Sequence, residues 1–139
     1  MALSADRNYA VSGHTEIQHG KLTAGVTYYK GGMLVWDAGT GLLKKPADVA
    51  GEYGVGVLKA GKVAAAGENP DVEIEIGKIW VPFGSAAQAD VGDWVFASDD
   101  GTITKTALTN GGPCGIAVDF KTGYLLVDFR RGGPKTLSA

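Results

Sequence analysis

Residues 72–81, VEIEIGKIWV, contain the pattern that decides the fold class. In residues 72–76 valine and isoleucine alternate with glutamate, which is the period of a strand with one buried and one solvated face. After Gly77 the aliphatic residues Ile79 and Val81 occupy odd positions instead of even ones. Because side chains alternate between the two faces of a strand, this change of parity at a glycine indicates a β-bulge or a sharp bend.

Strand patterns continue on both sides of this stretch, whereas helical patterns are short. The runs rich in β-branched or aromatic residues are 26–29, 33–36, 94–97, 102–104, 116–120 and 125–129. The Asp-Gly pair at 100–101 and the turn residues 121–123 predict two β-hairpins. Residues 46–50 and 86–90 could each form one helical turn, which is too short to be stable alone.

The composition agrees with an all-β protein. Glycine supplies 22 of the 139 residues and proline 5, without the Gly-X-Y period of collagen. So many glycines indicate tight turns between short strands, and an apolar share of 45% is enough for one modest core. We therefore predict a single all-β domain, a small glycine-rich β-barrel or β-sandwich.

An internal repeat divides the predicted domain. The segment that begins at Val35 recurs at Val95, an offset of 60 residues, and Gly54 recurs as Gly115. The other matching pairs are Trp36 and Phe96, Gly41 and Gly101, Leu43 and Ile103, Lys45 and Lys105, and Ala47 and Ala107. Two copies are too few for a solenoid, so they predict a pseudo-twofold barrel or sandwich in which each half covers the other's apolar face. Chance similarity among glycine-rich strands is the alternative interpretation.

The domain boundaries follow from these patterns. Residues 1–20 are polar or small with weak periodicity, and they are predicted to form an extended N-terminal arm. Residues 21–130 form the predicted β domain, with repeats at about 31–66 and 92–129. Residues 131–139 are predicted to be a flexible C-terminal tail.

Charge and cysteine content exclude several classes of protein. Lysine and arginine number 13 against 15 aspartates and glutamates, a net charge of −2, so no basic surface is expected to bind nucleic acid. The single cysteine, Cys114, cannot form an intrachain disulfide. No apolar run reaches the roughly 20 residues of a membrane helix, and the first residues lack the order of a signal peptide. We expect a protein made and kept in a reducing cytosol, which, if it is exported at all, leaves by lysis or in a particle.

No residue pattern predicts catalysis or metal binding. Residues 56–62, GVLKAGK, match the spacing of a phosphate loop, but Val63 stands where that loop needs serine or threonine. The interpretation is a strand followed by a Gly-Lys turn. His14 and His19 are poorly spaced for a shared metal, and Cys114 is expected to be a small buried residue. We therefore predict no catalytic residue, no metal and no cofactor.

Carboxylates and aromatic residues receive structural interpretations. Glu73 and Glu75 alternate outward on a predicted strand and are expected on a solvated face. The aromatic residues within strand patterns, which are expected in the core, are Trp36, Trp80, Trp94, Phe96 and Phe129. Those nearer the N-terminus, which could lie at an interface, are Tyr9, Tyr28 and Tyr29.

Two blocks of sequence share one succession of elements: a hydrophobic strand, a glycine turn, a second strand and a Gly-rich β segment. The first block joins residues 28–35, YYKGGMLV, to 54–57, GVGV, and the second joins 89–97, ADVGDWVFA, to 115–118, GIAV. In this order the chain resembles the capsid decoration, or cement, proteins of tailed phages over roughly residues 22–129. It is also similar to the lambda-type head decoration proteins, small glycine-rich β proteins with a mobile N-terminal arm.

The resemblance implies a structural virion protein without enzymatic activity. It implies a homotrimer on the outer surface of the expanded head, made in the host cytoplasm, that bridges neighbouring major capsid subunits and contacts neither nucleic acid nor membrane. A polar N-terminal segment could order on contact and add a strand to a capsid sheet. The predicted capsid-contact residues are Arg7, Asn8, Tyr9, Val11 and His14.

Two functions from other classes are alternatives. One is a β-barrel module that binds carbohydrate or another ligand through exposed aromatic residues, with single-stranded nucleic acid disfavoured by the net charge of −2. The other is a small hydrolase that uses scattered carboxylates.

Overall fold

The computed structural model describes residues 1–133, which form eleven strands and two 3-10 turns. The strands are β1 (Val11–Lys21), β2 (Val26–Tyr28), β3 (Met33–Asp37), β4 (Leu43–Lys44), β5 (Glu52–Leu58), β6 (Lys62–Ala64), β7 (Asp71–Pro82), β8 (Trp94–Ala97), β9 (Ile103–Thr104), β10 (Gly115–Lys121) and β11 (Tyr124–Asp128). The 3-10 turns are Gln88–Asp90 and Phe129–Arg131. The predicted all-β class is confirmed, and the main antiparallel sheet curls into a half-barrel.

The strand order of the main sheet is symmetric about its centre, and its two halves correspond to the two copies of the sequence repeat. The path is β4-β3-β5-β7-β11-β10-β8-β9, with β1 paired to β7 outside it and β2 paired to β6 in a separate ribbon. From the centre outward β7 corresponds to β11, β5 to β10, β3 to β8, and β4 to β9. Val35 lies opposite Gly54 in the first half, and Val95 lies opposite Gly115 in the second. The repeat in the sequence therefore has a counterpart in the strand pairing.

Both predicted hairpins are present. The β8–β9 hairpin surrounds the predicted Asp-Gly turn, and the β10–β11 hairpin surrounds Thr122 and Gly123. Gly123 has a φ of 82°, in the left-handed region that tight hairpin turns use and that glycine enters without a steric penalty. Of the two predicted helical turns, residues 86–90 contain a 3-10 turn and residues 46–50 contain none.

β7 changes its partner at the glycine where the sequence changes parity. Along one edge β7 pairs with β1 from Asp71 to Ile79. Along the other edge it pairs with β5 before Gly77 and with β11 after it. Opposite Gly77, β1 contains the extra residues of a bulge between Ser12 and Glu16. The predicted irregularity is confirmed, and the additional residues lie in the neighbouring strand.

The change of parity directs the two halves of β7 into two hydrophobic cores. Val72 and Ile74 pack in the first core, and Ile79 and Val81 pack in the second. The buried residues of the first core are Leu22, Tyr28, Leu34, Leu43, Val55, Leu58, Ala64, Val72 and Ile74. Those of the second core are Met33, Val57, Ile79, Val81, Val95, Ala97, Ile103, Cys114, Ala117, Leu125, Val127 and Phe129. Because the second core includes Met33 from the first half, the two halves pack on each other.

The segment predicted to be an arm, residues 1–20, is divided between the sheet and the surface of the body. Its second half belongs to β1, which places His19 opposite Glu73 and Lys21 opposite Asp71. His19 Nε2 lies 3.7 Å from the Glu73 carboxylate, and Lys21 Nζ lies 3.2 Å from the Asp71 carboxylate. The opposite charges of Lys21 and Asp71 across the strand pair favour this register without any apolar alternation. The weak periodicity of this segment therefore does not indicate a free arm.

At the other end of the chain the described fold extends to Gly133. Gly133 N donates a hydrogen bond to Pro113 O at 3.0 Å, so the residues after β11 are held against the body. Of the predicted C-terminal tail, residues 134–139 lie outside the described part of the chain.

Candidate functional site

The N-terminal segment, residues 1–10, lies across the body ahead of β1. Leu3 N donates a hydrogen bond to Asp100 Oδ1 at 2.9 Å, and Arg7 N donates one to Lys30 O at 2.8 Å. Asp100 is buried in the β8–β9 turn, whereas Lys30 precedes β3. The N-terminal segment therefore connects the two halves of the fold.

Arg7, the first of the predicted capsid-contact residues, is bound within the protein. Its Nη1 donates to Gly101 O at 2.9 Å, and its Nη2 donates to Gly31 O at 3.3 Å. Partial burial lowers the pKa of the guanidinium, against the opposing effect of the Asp100 and Asp99 charges. The side chain thus fastens the N-terminal segment to two turns of the body.

Tyr9 also has an internal partner. Its hydroxyl donates to Glu75 Oε1 at 2.7 Å, and the Thr15 hydroxyl donates to the other carboxylate oxygen. Burial, followed by the bond to Glu75, raises the pKa of the Tyr9 hydroxyl. Burial by itself would raise the pKa of Glu75, but the bonds from Thr15 and Tyr9 hold that pKa below its usual value.

These two hydroxyls also explain a difference from the sequence-based expectation. Glu73 and Glu75 were both expected on a solvated face. Glu73 is exposed as expected, whereas Glu75 is half-buried because it binds Tyr9 and Thr15.

The other three predicted contact residues face solvent. Asn8 is exposed, and its Oδ1 accepts a hydrogen bond from Lys30 Nζ at 3.3 Å. Val11 is 41% exposed, and His14 is exposed within the bulge of β1. The five predicted residues therefore follow one continuous stretch, in which Arg7 and Tyr9 bind the body and the other three contact solvent.

β1 differs from every other strand within residues 1–133 in having no buried residue. Ile17, near its centre, is 42% exposed. The only strand that pairs with β1 in the described structure is β7. An edge strand presents unpaired backbone N–H and C=O groups, so this is an edge at which another chain could add a strand.

An aromatic groove of about 360 Å³ lies beside the start of β1. Its residues are Arg7, Asn8, Tyr9 and Ala10 from the N-terminal segment, Trp80 and Pro82 from β7, and Lys121 and Tyr124 from the β10–β11 hairpin. Lys121 Nζ lies 4.5 Å from the ring centre of Trp80 and 5.1 Å from that of Tyr124, within the range of cation–π attraction. This groove brings together three segments that are far apart in the sequence.

The aromatic residues divide between core and surface differently from the expectation. Trp80 was expected in the core but is half-buried, because it lies on the face of β7 opposite Ile79 and Val81. Phe96 and Phe129 are buried as expected, at 2% exposure each. Trp36 is half-buried and packs against the first core, whereas Trp94 is half-buried and Tyr28, expected near an interface, is buried.

The stretch that matches the phosphate-loop spacing is a strand, a turn and a second strand. β5 ends at Leu58, and β6 begins at Lys62. A phosphate loop needs a helix whose N-terminus receives the phosphate, and this stretch has none. The interpretation as a strand and a Gly-Lys turn is confirmed.

The remaining reactive side chains are either buried in the core or paired with a cation. Cys114 is buried as expected, and burial raises its pKa to about 12. The buried carboxylates within residues 1–133, each with the cation it contacts, are Glu52 with Lys44, Asp90 with Lys105, Asp100 with Lys45, and Asp128 with Arg130. No group of three or more histidine, cysteine or acidic residues that could hold a metal ion occurs in the described part of the chain.

Comparisons with protein-family models, with curated proteins and with solved structures found no match to this chain. Within residues 1–133 no helix is long and apolar enough to span a membrane.

Proposed function

We propose that this protein is a structural virion protein that binds the outer surface of a tailed-phage head and cements neighbouring major capsid subunits in the expanded shell. The proposal includes a homotrimer made in the host cytoplasm, with the major capsid protein as its partner. It assigns the protein no catalytic role and no contact with nucleic acid or membrane. The resemblance of the two sequence blocks to the decoration proteins supports it.

The observation that carries the proposal is the exposure of β1. In a free protein, an edge strand with apolar side chains on its exposed surface would invite aggregation. β1 is mostly polar, so it can stay exposed in solution and still offer backbone groups to a partner strand. Main-chain pairing of this kind needs little side-chain specificity, which suits repeated sites on a shell. Many weak contacts then add up because all copies bind the same closed particle.

The internal bonds of the N-terminal segment change how attachment is expected to work. Leu3, Arg7 and Tyr9 hold this segment on the body in the unbound protein. Attachment by β1 therefore does not require an arm to fold on contact, and no ordering entropy has to be lost at that step. In this form of the proposal Val11, Ile17 and their neighbours on β1 contact the capsid.

Binding to expanded, undecorated heads tests the proposal directly. The protein should bind these heads and raise the temperature or the force at which they break. Ile17→Asp introduces a charge on β1 and should weaken binding about tenfold or more, an expectation of roughly 1.4 kcal/mol. Val63→Asp is the matched control, because Val63 is 66% exposed and lies on β6.

Two results would contradict the proposal. One is the absence of binding, or binding without any gain in the resistance of the heads. The other is equal weakening by Ile17→Asp and Val63→Asp, which would exclude β1 as the contact. Light scattering after size-exclusion chromatography tests the homotrimer separately, and a monomer at micromolar concentration would contradict that part.

A further inference from the structure

We propose that the aromatic groove binds an acidic saccharide. This site is separate from attachment through the edge of β1, and it does not depend on the proposed function.

Three aromatic rings from three different elements converge on the groove. The Tyr9 ring is held by the bond of its hydroxyl to Glu75, and Trp80 and Tyr124 come from the paired strands β7 and β11. Aromatic side chains have only two rotatable bonds, so their apolar faces lose little conformational freedom when a ligand binds. The C–H face of a pyranose ring is a flat apolar surface of matching size, so such rings are suited to stack on it.

The charge of the groove favours an anionic ligand. Lys121 contributes an exposed positive charge, Arg7 contributes a second one that is also bonded to Gly101 O and Gly31 O, and none of the residues that line the groove is acidic. The whole chain has a net charge of −2, so the positive charge of this lining is opposite in sign to the net charge of the protein. A carboxylate on the ligand could interact with Lys121, whose ammonium group already lies between the rings of Trp80 and Tyr124.

The backbone of the groove argues against an extended acidic peptide. Arg7 N is bonded to Lys30 O, and Trp80 N is bonded to Ala10 O. Tyr124 belongs to β11, which is paired with β7 along this stretch. These main-chain groups are therefore already paired within the protein and cannot extend a sheet to a peptide. The ring faces, the amide of Asn8 and the cations remain for recognition, and an acidic saccharide can contact all three.

Calorimetric titration of the full-length protein tests the inference with defined probes. The probes are a trisaccharide of galacturonic acid, the neutral trisaccharide of galactose, and hexaglutamate. The acidic trisaccharide should bind saturably and at least about tenfold more tightly than the neutral one. Tyr124→Ala should weaken the binding of both trisaccharides about tenfold, whereas Lys121→Gln should remove most of the preference for the acidic trisaccharide.

Lys62→Gln is the matched control, because Lys62 is exposed on β6 and does not line the groove. Circular dichroism checks that each variant is folded, and chemical-shift changes at the Trp80 indole locate the ligand. Three results would overturn the inference: no saturable binding of either trisaccharide, binding that Tyr124→Ala leaves unchanged, or hexaglutamate binding as tight as that of the acidic trisaccharide. None of them bears on attachment to phage heads, which is measured without these probes.

Discussion

Gly54 in β5 lies directly against the backbone of Cys114, so that a Cβ atom at residue 54 would be 2.2 Å from the Cys114 Cα. The repeat counterpart of Gly54 is Gly115, where an added Cβ would be 2.5 Å from Asp128 O. In both halves the glycine is required because another backbone passes too close for any side chain. The contact between Gly54 and Cys114 is also a point where the first half of the fold meets the second.

Gly54→Ala should be strongly destabilising because the opposing atoms are backbone atoms that cannot rotate away. We expect a loss of about 3 kcal/mol in the free energy of unfolding, measured by denaturant titration. Gly84→Ala is the matched control, since nothing lies within 4 Å of an added Cβ there and no left-handed φ is required. Equal stability of the two variants would contradict the close approach.

Asp48 fastens the loop before β5 to the loop before β10. Its carboxylate accepts hydrogen bonds from the backbone N–H groups of Thr109, Asn110 and Gly111, at 3.2, 2.7 and 2.9 Å. Its φ of 54° lies in the left-handed region, which asparagine and aspartate tolerate better than alanine. Asp48→Ala should therefore cost about 2 kcal/mol of stability, and Asp48→Asn clearly less. Thermal unfolding of both variants checks this order, and the reverse order would contradict it.

The pairing of Asp90 with Lys105 predicts a dependence of stability on pH. The hydrogen bond from Lys105, and then that from Ala87 N, lower the pKa of Asp90. A carboxyl whose pKa is lower in the folded state stabilises the fold above its unfolded pKa of about 3.9, and this contribution is lost as pH falls further. Lys105→Met should lower the Tm at neutral pH, with a difference from wild type that shrinks below about pH 4. Lys62→Met should show no such pH-dependent difference.

Tyr9→Phe removes the hydroxyl that binds Glu75 and should cost about 1 kcal/mol. Because the pKa of Tyr9 is raised in the fold, its contribution is present below the unfolded pKa of about 10 and is lost as pH rises further. The variant should also exchange the amide hydrogens of Leu3 and Arg7 faster, since the N-terminal segment loses one of its anchors. Tyr53→Phe is the control, because within residues 1–133 the Tyr53 hydroxyl makes no hydrogen bond. Unchanged amide hydrogen exchange in Tyr9→Phe would show that the bond from Tyr9 to Glu75 does not anchor the N-terminal segment.

Cys114 should resist thiol reagents in the native protein. Burial raises its pKa to about 12, so almost no thiolate is present at a pH of about 8, and the sulfur is not accessible to a reagent. Labelling followed by mass spectrometry should show modification only after denaturant is added. Rapid modification of the folded protein would show that the second core opens readily.

The sequence was sufficient to predict those parts of the fold that a local pattern determines. The change of parity at Gly77 follows from the alternation of side chains along one strand, and both hairpins follow from turn residues between two apolar runs. The outward position of Trp80 could also have been predicted, because Trp80 is out of phase with Ile79 and Val81. Trp80 was expected in the core because of its residue type. Its place in the side-chain alternation of β7 predicts the outward orientation that the structure shows.

The pairing of β1 with β7 could not be predicted in the same way. Val11 and Ile17 are its only large apolar residues, and both are exposed, so no hydrophobic alternation marks the strand. The pairing is accompanied instead by polar cross-strand contacts such as Lys21 with Asp71 and His19 with Glu73, whose partners are distant in the sequence. The aromatic groove could not be predicted from the sequence either, because Tyr9, Trp80 and Tyr124 are far apart in the chain and meet only after the sheet has formed.

The bond between Leu3 and Asp100 has a consequence for synthesis of the chain on the ribosome. The two residues are 97 positions apart, so at about 5–20 residues per second Leu3 waits roughly 5 to 20 seconds for its partner. β1 also waits until β7 has left the exit tunnel. During this interval β1 is unpaired on both edges, and its polar sequence limits premature association with other nascent chains. The same property that leaves β1 available to a partner in the finished protein therefore protects it while the protein is being made.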